Sequence, residues 1–481
     1  MAGIISNNFR LKNARLFLET ADSSTTHYYA FIGRPQYWAS GAGDSTPAPE
    51  DNLSDGLKTR ADIMSVKRLA STDMSFGVKK NLWATGNHYD IYRHDYGHSG
   101  INGVDLATGS PTALNRLDEA NYFVVNESNG YIYICIDNNS GGVSTVNPNS
   151  MTYTDFRSAA GQADGYVWRL IANTSTADSS KFSTIDYHPV KTLDNSALPG
   201  SGDPYYTQSQ AQASALTHAG GVYHISVTNG GTGYGNNLLG TSSSGNGIVS
   251  LQGDGTGFVG YVKTNGVGTI TGIVVNTTGT GYSHATVVFT GSGSAAAGTA
   301  ILTPTKGLGY DPVTDLCAHN VITDLKFINS ESGTFTTANY FRCMGILVNP
   351  LQYGSSSLVT AAHASTMTSI VLSGGGNPAA AFTPGGTLTD NTSTARGIIV
   401  DNDGVNTIRI IRTAVENDAN RGAAVFAAGH SVTDGGTPVN VASVTSPAVD
   451  STSGVIIYFE NRSRILRSPT QTEEIRVVFE F

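Results

Sequence analysis

Val455-Ile-Ile-Tyr-Phe-Glu-Asn-Arg-Ser-Arg-Ile-Leu-Arg467, a polar link through Pro469, and Thr472-Glu-Glu-Ile-Arg-Val-Val-Phe-Glu-Phe481 decide the fold. Val455 to Phe459 reads as a strand apolar on both faces, which belongs inside a sheet or an interface. Glu460-Asn-Arg462 breaks that pattern. Ile475, Val477, Phe479 and Phe481 then share one face of a closing strand, with Arg476 and Glu480 opposite. An apolar terminal strand implies that something packs against it, because loose chain ends are polar and fray.

Composition extends the β reading. Charged residues make up 14% of the 481 residues, against roughly 25% in ordinary globular proteins. The 56 glycines are about 12% where ~7% is usual. Glycine with abundant Thr, Ser, Val and Tyr favours short strands and tight turns. The expected fold is mainly β: a multi-domain β-sandwich or two-layer core, with few short helices and two inserted Gly-rich small β-domains. Helices are expected at 7–20 and 61–69. A hairpin is expected over 121–135 around Asn129-Gly130, and a strand over 165–171.

The two inserted segments each carry an internal duplication. Between Ala219 and Thr305 the charged side chains are Asp254 and Lys263, and Gly231-Thr-Gly-Tyr234 recurs 48 residues on as Gly279-Thr-Gly-Tyr282. Strand, glycine turn and covering tyrosine form one β unit. From 355 to 453, Phe382-x-x-Gly385 through Asp390 recurs as Phe426-x-x-Gly429 through Asp434, around a hairpin at Asp401-Asn-Asp-Gly404.

A net charge of -9 with no basic run argues against nucleic acid and anionic membrane as partners. No ~20-residue apolar stretch reads as a membrane span, and no signal peptide is read at the amino end. Cys135, Cys317 and Cys343 read as buried thiols of a reducing compartment. His88, His94 and His98 with Asp90 and Asp95 form the densest ionisable cluster, but Gly97 and Gly100 mark a loop, and no cysteine or glutamate completes a metal set. Gly404 falls at the wrong register for a calcium loop. Gly255-x-Gly257-x-x-Gly260 lacks the helix that a dinucleotide site needs. No nucleophile elbow, Walker loop, HExxH or CxxC pair is present. The expectation is a non-enzyme with neither cofactor nor metal.

Four short segments carry a resemblance. Phe31-Ile-Gly-Arg-Pro35 with Trp38, after the helix opened by Asn8-Phe9-Arg10, resembles an "FGR…W" turn. Asp164-Gly-Tyr-Val-Trp168, Tyr340-Phe-Arg342 through Asn349-Pro350, and Glu460-Asn-Arg462 with Gln471-Thr-Glu-Glu-Ile475 follow in order. Together they resemble a baseplate wedge subunit of T4-like contractile-tailed phages. Arg93-His-Asp-Tyr96 is similar to an "RRDW" stretch of that family. The resemblance spans about 1–210, 307–354 and 451–481, which implies a wedge core of 1–210, 307–354 and 454–481 interrupted by insertions at 219–305 and 355–453.

The resemblance implies a structural subunit that joins neighbouring wedge proteins and transmits the rearrangement before sheath contraction. It implies a homodimer, assembled in the host cytoplasm and located in the virion baseplate. Interface candidates are Arg34, Trp38, Glu460, Asn461, Arg462, Arg464, Arg467, Glu473 and Glu474, whose balanced charges could set register across a subunit boundary. An alternative is a tail adhesin whose inserted domains touch host-surface glycans; a polysaccharide-degrading tailspike is a third reading. Tyr205, Tyr206, Tyr234 and Tyr282 could line a sugar-binding face, or could pack over glycine turns.

Overall fold

A computed structural model describes residues 5–38, 45–96, 101–149, 163–328, 331–412 and 424–481. Strand accounts for 42% and helix for 14%, with five short α-helices among the described residues. The chain forms two compact units. One comprises Met1–Leu16, Ser75–Ile322 and Val478–Phe481, the other Phe17–Met74 and Thr323–Val477.

The first unit is organised by an antiparallel sheet of Phe123–Asn126, Tyr131–Asn138 and Tyr166–Asn173. Its middle strand alternates between two cores. Ile132, Ile134 and Ile136 face one with Val167 and Ile171, while Tyr133 and Cys135 face the other with Tyr89, Tyr166 and Trp168. Burial on both faces explains why these strands are continuously apolar. Trp168 stacks on Tyr166 at 5.8 Å and meets Tyr89 edge-on at 5.3 Å. Asp164 anchors the start of this strand by accepting the backbone N–H groups of Thr145, Val146 and Tyr166. The expected 121–135 hairpin is present, with Gly130 at φ 71° in its turn.

Residues 222–302 of this unit interlock two half-repeats. Val222–Thr232 pairs with Ser294–Leu302, and Ile270–Thr280 pairs with Thr256–Thr264, so each half lends its first strand to the other. The Tyr234 N–H donates to Gly268 and the Tyr282 N–H to Gly220, again 48 residues apart. Each ring covers a glycine of the opposite half: a methyl group at Gly293 would overlap Tyr234, and one at Gly255 would overlap Tyr282. Both tyrosines are buried in the core of this region, which places them in the packing role.

The second unit holds a five-stranded antiparallel sheet in the order His363–Ser365, Ile63–Leu69, Tyr28–Gly33, Asn339–Val348, Val455–Arg467. The helix expected over 61–69 is instead helix Leu53–Asp62 followed directly by strand Ile63–Leu69. Ile63 to Val66 are buried on both faces of the strand, so no alternation marks it in the sequence. The closing strand Thr472–Glu480 lies beside Asn320–Ile328, where Thr323 Oγ1 donates to the Val477 carbonyl at 3.1 Å.

Residues 368–445 of this unit close into a six-stranded barrel, which is also a duplication. Thr368–Leu372 pairs with Thr407–Ile411, and Thr387–Asp390 with Ser431–Thr433. The Gly385 N–H donates to Ile399 as the Gly429 N–H donates to Val441. Phe382 and Phe426 occupy the barrel core together. At the 401–404 turn, Asp403 Oδ1 accepts the N–H groups of Val405, Asn406 and Thr407, which makes it a hairpin.

Two outcomes follow. Tyr282→Ala should destabilise the first unit by about 3–5 kcal/mol while Tyr282→Phe costs little, as read by urea unfolding. His188, fully buried with Nε2 on Thr174 Oγ1 at 2.9 Å, is pushed down to about 4 by burial and by Lys80. The unfolded chain therefore takes up a proton before the folded one does. Stability present above pH ~6.5 is lost as pH falls toward 4, by up to about 3 kcal/mol. His188→Gln should flatten that slope in thermal melts across the range.

Candidate functional site

Three of the segments quoted for the resemblance meet in the second unit. Tyr28–Gly33, Asn339–Val348 and Val455–Arg467 are adjacent strands, with Met344 opposite both Ile32 and Glu460. At their common end the chain turns at Arg34, whose φ is 59°. The Arg34 N–H donates to the Asp62 carbonyl at 2.8 Å, Nη1 to Asp62 Oδ2 at 2.9 Å and Nη2 to the Tyr37 carbonyl at 3.1 Å. These bonds place the guanidinium over the Trp38 ring, 4.2 Å from its centroid. Trp38 Nε1 in turn donates to the Arg462 carbonyl at 2.8 Å, tying the turn to the edge strand.

Arg342 is the second link. Fully buried, it donates through Nη1 to the Pro35 carbonyl at 2.7 Å and lies between the rings of Tyr37 and Tyr340, at 4.8 and 5.5 Å. Arg464 approaches Tyr340 at 5.5 Å. Cation and ring thus alternate from Tyr37 through Arg342 and Tyr340 to Arg464, each guanidinium positioned by carbonyls or rings. The Tyr458 hydroxyl donates to Glu460 Oε2 at 3.0 Å, and burial together with that carboxylate pushes the phenol up to about 12.

Glu460-Asn-Arg462 does not end the strand, contrary to the expected break. Val455–Arg467 continues through it by bulging: Cys343 faces Asn461 while Phe341 already faces Ile465. Glu460 Oε2 accepts from Arg462 Nη2 at 2.9 Å, and Asn461 Nδ2 donates to the Pro47 carbonyl at 3.1 Å. The strand is an edge of its sheet. Val455 is 60% exposed and Ile457 46%, and the helix Leu53–Asp62 packed near it shows Leu53 at 79%.

The expected interface set therefore divides. Trp38, Glu460, Asn461, Arg462 and Arg464 come together at the edge strand. Arg34, Arg467 and Glu473 are buried, and each is ion-paired inside the unit, Arg34 with Asp62 and Arg467 with Glu473. Arg467 donates through Nε and Nη2 to Glu473 Oε2, at 3.2 and 3.0 Å, and through Nη1 to the Thr336 carbonyl at 2.8 Å. Glu474 is exposed on the closing strand beside Arg476 and 3.9 Å from Lys326 Nζ. Burial raises the Asp324 carboxyl there, while a hydrogen bond from Asp324 holds Glu474 low.

The residues missed were Tyr37, Asp62, Tyr340 and Arg342. Arg342 carried a signal, since it stands in the Tyr340-Phe-Arg342 motif. In the histidine cluster, His88 Nδ1 contacts the Gly141 carbonyl at 2.8 Å and the Leu302 N–H donates to His94 Nδ1 at 3.2 Å. His98 lies outside the described residues. No group of three His, Cys, Asp or Glu poised for a metal occurs among the described residues, and no described helix is long and apolar enough to cross a membrane. No family model matches the chain, and no curated protein matches it.

Arg467→Ala should cost about 3–5 kcal/mol, because it strands Glu473 in the interior. The double variant Arg467→Met with Glu473→Leu should recover most of that loss in denaturant unfolding. Arg462→Ala should change stability by less than about 0.5 kcal/mol.

Proposed function

We propose that this chain is a structural subunit of the baseplate wedge of a contractile-tailed phage, acting as a homodimer that holds neighbouring wedge proteins together. One observation carries the reading. The segments resembling the wedge family at Phe31–Trp38, Tyr340–Arg342 and Glu460–Arg462 are roughly 300 and 120 residues apart in the chain, yet they form neighbouring strands joined by Arg342 to Pro35 and Trp38 to Arg462. Their gathering into one cluster supports the reading.

The chemistry of the site supports docking rather than turnover. Its polar groups are spent on holding one another in place, and what remains outward is an edge strand with apolar Val455 and Ile457 beside charged Arg462 and Arg464. An edge strand is a ready surface for a second protein chain. The bulges and charges along it limit unregistered pairing and so favour one partner geometry. Two compact β-rich units transmit displacement as bodies rather than by unfolding.

Antibody labelling of a tagged chain in purified tails should decorate the baseplate. Ile457→Lys should leave the fold intact by circular dichroism and abolish incorporation into wedge assemblies. Label at fibre tips, or normal incorporation of the variant, would overturn the reading.

A further inference from the structure

The mouth of the six-stranded barrel contains a cavity of about 450 Å³ within the second unit. That volume lies inside the range of small-molecule sites, and barrel mouths are a recurrent place for them. The cavity opens where Thr368 begins one strand, Arg412 follows another and Val444 lies one residue before the end of a third. Phe426 and Val444 supply apolar wall, Tyr353 presents its ring at 55% exposure, and Arg412 and Asp450 supply one charge of each sign.

The polar and aromatic walls are preformed, although both stand on turns. The Tyr353 N–H donates to the Ala448 carbonyl at 3.1 Å, the Asp450 N–H to the Leu351 carbonyl at 2.9 Å, and the Leu351 N–H to Ser453 Oγ at 2.8 Å. Gln352 forms a β-bridge with Val449 between them. Asp450 Oδ1 is committed to the N–H and hydroxyl of Thr452, at 2.8 and 2.7 Å, which aims the carboxylate and leaves Oδ2 for another donor. Arg412 Nη1 is fixed by the Ala424 carbonyl at 2.7 Å. A turn pinned by backbone bonds keeps the Tyr353 ring at the cavity edge, and a tyrosine has few torsions to lose when a ligand covers it.

We infer that this cavity binds a neutral saccharide of one or two rings. Among the described lining residues the charges are one of each sign, Arg412 and Asp450, which favours neither a phosphate nor an amine. Its mixed wall suits a molecule with an apolar face and a hydroxyl rim, which is the chemistry of a pyranose. The ring's C–H face stacks on Tyr353. Neighbouring hydroxyls donate to Asp450 Oδ2 and accept from the Arg412 guanidinium. The site stands independently of where the protein sits in a particle.

The test uses the full chain with glucose, galactose, mannose, N-acetylglucosamine, maltose and lactose as probes at millimolar concentration, read by saturation-transfer NMR. At least one sugar should bind. Tyr353→Ala should weaken it about tenfold, the loss of one stacked ring, while Tyr353→Phe stays within about threefold. Asp450→Asn keeps the Thr452 bonds through its amide oxygen and should still weaken binding by about fivefold or more. Thermal melts of all three variants check folding, with Tyr353→Phe and Asp450→Asn the conservative pair. No binding across the panel, or binding in Tyr353→Ala and Asp450→Asn unchanged from the parent chain, overturns the proposal; neither result bears on the labelling of tails.

Discussion

The structure depends on one constraint: both repeat-bearing segments leave and re-enter the surrounding sheets at residues that already face each other. Val348 is the register partner of Val455 across the entire 355–453 segment, and Val222 is the partner of Leu302 across the tyrosine repeats. A loop of about a hundred residues with free ends would oppose those pairings by its closure entropy. A segment whose own strands pair with one another and bring its two ends side by side removes most of that cost. The edge strand can then pair along Asn339–Val348 as though the connection were short. The same device preserves the sheet register on which the Arg34, Arg342 and Trp38 contacts rest.

Duplication explains how such segments close on themselves around small cores. In the 222–302 region each half lends a strand to the other, and in the barrel the second three strands repeat the first around an approximate dyad. Two like halves that exchange partners cover each other's edges, so small cores suffice. Glycine is needed at Gly255 and Gly293 because a tyrosine ring of the opposite half lies where a side chain would be. The scarcity of charge between Ala219 and Thr305 follows from strands that spend hydroxyls and backbone groups on pairing.

Much of the fold was legible in the sequence. Alternating apolar strands, the Asn129-Gly130 turn and both repeats could be read because they depend on neighbours in sequence. The strand at Ile63–Leu69 and the continuation through Glu460-Asn-Arg462 could not, because they depend on neighbours in space. A strand covered on both faces has no period, and a bulge absorbs polar residues that periodicity treats as an ending. Strand exchange between repeats was hidden for the same reason: the repeat shows that two units exist, not which one each strand joins.

The candidate site was legible in part, and its charges show why. Arg462, Arg464 and Arg467 look equivalent in sequence, each two or three residues from the next. In the sheet their fates differ, because a bulge between 461 and 465 resets which side each faces. Arg467 turns inward to Glu473 and Thr336, while Arg462 stays at the rim. Arg34 is drawn inward by Asp62, which lies 28 positions further along the chain. A buried arginine is tolerated when carbonyls, rings and a carboxylate together replace water, and sequence order alone does not supply that set. The consequence is a division of labour within one motif cluster: the interior arginines fix the turn and the edge, while Arg462, paired with Glu460, and Arg464, beside Tyr340, stay at the rim.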